Sequence, residues 1–81
     1  MMSRDEIYTR LTAVFRDVFD DESICVDEHT SAEDIDDWDS LAQITLIAAV
    51  EHEFGIRFDM KTALKLKNAG AMADQIMSLV N

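Results

Sequence analysis

The ten residues Leu41 to Val50, "LAQITLIAAV", carry no formal charge and follow an acidic run that stops at Asp39. Ten uncharged residues, eight of them apolar, fall far short of the roughly 20 that a bilayer-spanning helix needs. They are also too apolar for a helix that buries one face only. Asp39 before them suits an N-cap and Gly55 after them a C′ residue, so the spacing predicts a helix over Ser40 to Phe54. Leu46, Ala49, Val50 and Phe54 form one stripe of that helix. Ser40, Ile44, Ile47, Ala48 and Glu51 form a second, offset around the axis. A helix apolar on two sides is either surrounded in the fold or binds something with its second face. A chain of 81 residues can surround few helices. Ile44 and Ala48 are therefore expected to form a contact surface below an exposed Ser40.

The other elements follow the same logic. Ser3 with Glu6 reads as a capping box, and Ile7, Leu11, Val14, Phe15, Val18 and Phe19 repeat at helical spacing, predicting a first helix that ends near Asp20. Residues 21 to 38 read as a long connection that Ile24, Val26, Ile35 and Trp38 pin to the core, with one helical turn at "TSAED" capped by Thr30 or Ser31. "IRFDMKTALKLK" reads as a turn and a short helix that Asp59 can cap. The last helix follows Asn68 as N-cap, with Ala69, Met72, Ala73, Ile76 and Val80 on one stripe. The absence of proline suits such a chain. The expected fold is all-α: one domain over residues 1–81, a small bundle of three main helices plus one short one.

Charge narrows the function. The net charge is −10, and thirteen of the seventeen acids lie between Arg16 and Arg57, a stretch without a basic residue. Nucleic acid and anionic membranes are poor partners for such a surface, and basic protein surfaces are good ones. Asp17, Asp20, Asp21 and Glu22 crowd the end of the first helix, where the helix dipole disfavours negative charge, so they point to a use other than stability. The plain alternative is a solvated face that keeps the protein soluble. A single cysteine, Cys25, excludes an internal disulfide and fits a reducing cytoplasm. The N-terminal "MMSRDEIYTR" has no apolar run of the signal-peptide kind.

Asp34, Asp36, Asp37 and Asp39 suggest a calcium loop, but counting from Asp34 puts Asp39 at the sixth place, where an EF-hand needs glycine, and Thr45 at the twelfth, where it needs glutamate. His29 and His52 have no metal-ligand spacing, and His52 is expected on the surface. Cys25 has no activating neighbour and is expected to be a partly buried, inert thiol. Met60, Met72 and Met77 are expected to fill core space. No nucleophile–base pair emerges, so no catalytic residue is assigned. Ser40 is different: at a helix start, unpaired N–H groups and the dipole favour a phosphate ester on its hydroxyl. Ordinary helix capping is the competing account of that serine.

Asp39-Ser40-Leu41, followed by Leu46, Val50 and "EHEFGI" from Glu51 to Ile56, closely resembles the acyl carrier protein family, and the likeness extends over essentially the whole chain. The resemblance implies a carrier and not an enzyme. Ser40 would receive 4′-phosphopantetheine from coenzyme A through a phosphopantetheinyl transferase, and the arm's thiol would hold acyl groups as thioesters. Asp39, Leu41, Ile44, Ala48 and Glu51 match positions that loading and transfer enzymes recognise, with basic docking surfaces. A cytoplasmic monomer is expected. Asp37 stands where many fatty-acid carriers have glycine, and Thr45 where an acid is frequent. With "WDSL", these departures make the chain look more like free-standing carriers of specialised pathways: polyketides, nonribosomal peptides or surface sugars. Two alternatives remain, an aminoacyl or peptidyl carrier and a cofactor-free acidic helical adaptor.

Overall fold

Ser3 opens the first helix by accepting the Glu6 N–H on its hydroxyl at 3.1 Å. The computed structural model describes all residues, Met1–Asn81, and places four helices: α1 Arg4–Val18, α2 Ser40–Phe54, α3 Met60–Ala63 and α4 Ala69–Val80. There are no strands beyond one isolated bridge, Ser31 with Asn68. Helix α1 stops two residues before the expected Asp20. Phe19 N–H closes the last turn on Phe15 O at 3.0 Å, and Asp20 then takes a left-handed conformation, φ 49°. Aspartate tolerates that conformation better than most residues, and the neighbouring acids oppose a longer helix.

The connection 21–38 contains no helix; at "TSAED" a single turn forms, Asp34 N–H donating to Ser31 O at 3.0 Å, and goes no further. The backbone there is already engaged: Ala32 N–H donates to Lys67 O at 2.9 Å and Ala69 N–H to Thr30 O at 2.7 Å. The hydroxyl of Thr30 accepts Asp27 N–H instead of capping a helix, and Ser31 N–H is taken by Asp34 Oδ2. Arg16 Nε reaches Ile24 O at 2.7 Å, and Thr12 Oγ1 accepts Val26 N–H at 3.1 Å. The loop is therefore tied down at its start, middle and end. Asp59 precedes α3 without a side-chain capping bond. Asn68 caps α4, its Oδ1 accepting Ala71 N–H at 2.7 Å.

A single cluster of 16 buried apolar residues forms the core. Ile7, Leu11 and Phe15 of α1, Leu46 and Val50 of α2, and Met72 and Ile76 of α4 are fully buried in it. Two expectations fail. Ile47, placed on the outer stripe, is 9% exposed and belongs to the core, because α3 covers that side of α2. Met60 is 72% exposed: it opens a one-turn helix whose inward position is taken by Ala63. Met72 is buried and Met77 half-buried, as core filling requires. No helix is long and apolar enough to cross a membrane.

Candidate functional site

The start of α2 is built by its neighbours on both sides. Trp38 is 6% exposed and stands edge-on to Phe15, ring centroids 5.3 Å apart at 83°. This anchors the loop end in the core. One residue later the chain is exposed again, and Asp39 turns it into the helix: its Oδ1 accepts Ala42 N–H at 2.8 Å and its carbonyl accepts Gln43 N–H at 2.9 Å. Ser40 follows as the first residue of α2 and is exposed. The capping bond belongs to Asp39, so the Ser40 hydroxyl is not needed for it. The N–H groups of Ser40 and Leu41 lack intrahelical carbonyls and carry the positive end of the helix dipole. An exposed hydroxyl beside free donors and partial positive charge suits a phosphodiester. The residues present thus fit a phosphate-linked arm.

Below Ser40, Leu41 is 74% and Ile44 61% exposed, and Ala48 is exposed, so the expected contact stripe is present on the surface. Its lower end is different. Glu51 is half-buried and its Oε2 accepts Phe58 N–H at 2.8 Å, which ties the turn after α2 to the helix. Across from the stripe, α3 exposes Met60 and, at its C-cap, Leu64. Ile44, Ala48, Met60 and Leu64 border an apolar groove of about 170 Å³. The exposed residues Lys61, Lys65 and Lys67 on and after α3 form no ion pair, while Asp36, Asp37 and Asp39 flank the helix start. Acidic charge therefore lies before Ser40 and basic charge along α3.

One residue that shapes the site escaped the sequence reading. Gln43 is 3% exposed. Its Oε1 accepts the Trp38 indole N–H, and its Nε2 donates to Ala63 O and Leu66 O, each at 2.9 Å. The signal was a lone amide in an uncharged apolar run, five residues after a tryptophan. The carbonyls it satisfies lie some twenty residues away, beyond the reach of local pattern.

Other candidates stay apart from this site. The largest recess, about 730 Å³, lies between the end of α1 and the loop and is walled by Asp20, Asp21, Asp27, Asp34, Asp36 and Asp37. It holds no paired nucleophile and base, and no three His, Cys, Asp or Glu side chains converge as metal ligands. The Asp21 carboxyl is held below its ordinary value, first by the Ser23 hydroxyl at 2.6 Å and then by Ser23 N–H at 2.9 Å. Cys25, expected to be partly buried, is exposed. Ile24 and Val26 pack against the core on either side of it, which leaves the residue between them on the surface. His52 is exposed, as expected.

Residues 9–76 match the family model described as a phosphopantetheine attachment site. The fold is similar to the solution structure of the holo acyl carrier protein from Geobacter metallireducens: TM-score 0.80, 45% identity, 88% of this chain and 82% of that chain covered. Comparison with curated proteins gives no match. The chain belongs to the phosphopantetheine-attachment family and, within it, to the acyl carrier proteins. It is a carrier bearing covalent 4′-phosphopantetheine, modified by a phosphopantetheinyl transferase and used by biosynthetic enzymes.

Proposed function

We propose that Ser40 is the residue that carries the phosphopantetheine arm, within one carrier unit spanning residues 1–81. The observation that carries this reading is the division of labour at the helix start: Asp39 caps α2 at 2.8 Å, leaving the Ser40 hydroxyl exposed and uncommitted. In the modification Ser40 Oγ bonds to the phosphorus of coenzyme A that bears pantetheine. The phosphoanhydride bond breaks, adenosine 3′,5′-bisphosphate leaves, and the hydroxyl proton passes to the transferase. The arm then supplies a thiol that holds an acyl group as a thioester. Asp39, Leu41, Ile44 and Ala48 form the surface against which partners seat, with Glu51 at its end. Tethering at this point raises the local concentration of cargo at each partner.

Partners of this carrier present basic groups toward the loop aspartates. Asp37, Thr45 and the "WDSL" run favour a specialised biosynthetic pathway over general fatty-acid synthesis, and we take the carrier to act as a cytoplasmic monomer. The test is intact mass after incubation with coenzyme A and a phosphopantetheinyl transferase. The wild-type protein gains one phosphopantetheine and Ser40→Ala gains none, while its thermal midpoint stays unchanged because Asp39 still caps the helix. Modification of Ser40→Ala would overturn the assignment. Mass analysis of the thioester isolated from the native host distinguishes an acyl from an aminoacyl or peptidyl cargo.

A further inference from the structure

The groove between α2 and α3 has a mouth and a floor. Ile44, Met60 and Leu64 are 53% to 72% exposed and form the mouth; Gln43, Ile47 and Ala63, between 3% and 9% exposed, form the floor. Behind the floor lie fully buried residues, among them Leu46 and Val50. The floor is closed by hydrogen bonds as well as by packing. Gln43 Nε2 spans from α2 to the carbonyls of Ala63 and Leu66, and Gln43 Oε1 holds the Trp38 indole N–H. No buried side-chain nitrogen or oxygen lacks a partner, so opening the floor strips several satisfied groups of their bonds at once.

We propose that Gln43 is a specificity-determining residue of this carrier: its amide latches α3 to α2 and shuts the groove off from the core, so the protein shelters only a short acyl segment and leaves the rest of a longer chain in solvent. This rests on Ser40 bearing the arm. Ile44, at the mouth, lies one turn below Ser40 on the same helix, about 6 Å away at 1.5 Å per residue, within easy reach of a cargo folding back from the serine. The groove's 170 Å³ holds about five or six groups of the roughly 30 Å³ that a water molecule occupies in the liquid. A short acyl chain fills it. A longer chain can enter further only by displacing Gln43 from the carbonyls of Ala63 in α3 and Leu66 just after it, and from Trp38. The cargo class that matches is therefore short, or polar beyond its first few carbons.

The experiment loads Ser40 with butyryl, octanoyl or dodecanoyl phosphopantetheine from the corresponding acyl-coenzyme A. It then measures cleavage of each thioester by hydroxylamine, normalised to the free acyl-pantetheine. In the wild-type protein the normalised rate does not fall as the chain lengthens, and the Ile47 methyl resonances shift equally for all three cargoes. In Gln43→Ala, which removes the latch and opens space behind it, the dodecanoyl thioester is cleaved about ten-fold more slowly than in the wild type, the protection that burying two further methylenes yields. A wild-type rate that drops steadily with chain length overturns the inference, and so does a Gln43→Ala profile identical to that of the wild type. Should the variant fail to fold, the wild-type series alone decides. Absence of any mass gain at Ser40 refutes the carrier assignment and this inference together; loading followed by wild-type protection of dodecanoyl refutes only this inference.

Discussion

If Ser40 carries the arm as proposed, Asp39 and Ser40 divide two tasks that one residue could have combined, and the division makes each separately testable. Asp39→Ala removes the bond to Ala42 N–H and should cost about 1 kcal/mol, the usual value of an N-cap side chain, read as a lower midpoint in urea. Asp39→Asn keeps an accepting oxygen and should recover most of the loss. Asp21 offers a second test at this scale. Its carboxyl binds protons less readily folded than unfolded because Ser23 donates two hydrogen bonds to it. Its contribution to stability is therefore present above the ordinary carboxylate value and fades as pH falls through the lowered folded one. Ser23→Ala should move the Asp21 carboxyl titration, followed by NMR, upward toward the ordinary value. An unmoved titration would show that the hydroxyl is not the cause. Asp39 and Ser40 were legible in the sequence because capping and helix-start chemistry act over three or four residues. Gln43 was not, since the groups that justify burying its amide come from Trp38 on one side and from Ala63 and Leu66 on the other.

At the scale of elements, the two glycines support opposite ends of the architecture. Gly55 closes α2 with φ 65°, and a Cβ there meets nothing within 4 Å. Gly55→Ala thus carries only backbone strain, about 1 kcal/mol. Gly70 lies in the first turn of α4, where alanine normally favours a helix by nearly 1 kcal/mol. A Cβ on Gly70, however, would stand 2.8 Å from the carbonyl oxygen of Glu28. Backbone on both sides cannot yield cheaply, and overpacking of this kind costs about 1–3 kcal/mol. The clash wins: Gly70→Ala should destabilise more than Gly55→Ala in parallel urea melts and should shift the amide resonances of loop residues 27–32. The reverse order would mean that the loop is not held against α4. Helices α1, α2 and α4 could be read in advance because each announces itself with a capping side chain and a stripe at helical spacing. That the turn after Ser31 stays isolated could not, because the backbone around it is claimed by Lys67 and Asn68 from across the fold. The burial of Ile47 was missed for a related reason: covering that side of α2 needs α3, and four residues of α3 carry little pattern of their own.

For the molecule as a whole, charge works against the fold and in favour of its use. The net charge is −10, and ion pairs between acids and arginines or lysines are few: Arg4 with Asp74 and Arg10 with Glu53, both at 2.8 Å and both partly exposed. Such pairs contribute little, and Arg4, whose pKa is raised chiefly by its hydrogen bond to Asp74, stays protonated throughout the physiological range. The aspartates of the loop and of the helix start therefore repel one another with little compensation, and a basic partner docking there would relieve that repulsion. Salt should consequently act in opposite directions on stability and on recognition. Raising ionic strength from about 0.01 M to about 0.15 M shortens the screening length from roughly 30 Å to roughly 8 Å. The whole width of the molecule, 20 Å on its shortest axis, then falls beyond the range of its own field. The thermal midpoint should rise across that interval, while kcat/KM for modification by the transferase should fall, chiefly through KM. Replacing Asp36 and Asp37 by asparagine should flatten both dependences together, because the same carboxylates lie behind each. If the two dependences separate in that variant, so that the fold loses its salt response but the transferase keeps its own, then the transferase reads a different face, and the loop aspartates serve solubility and not docking.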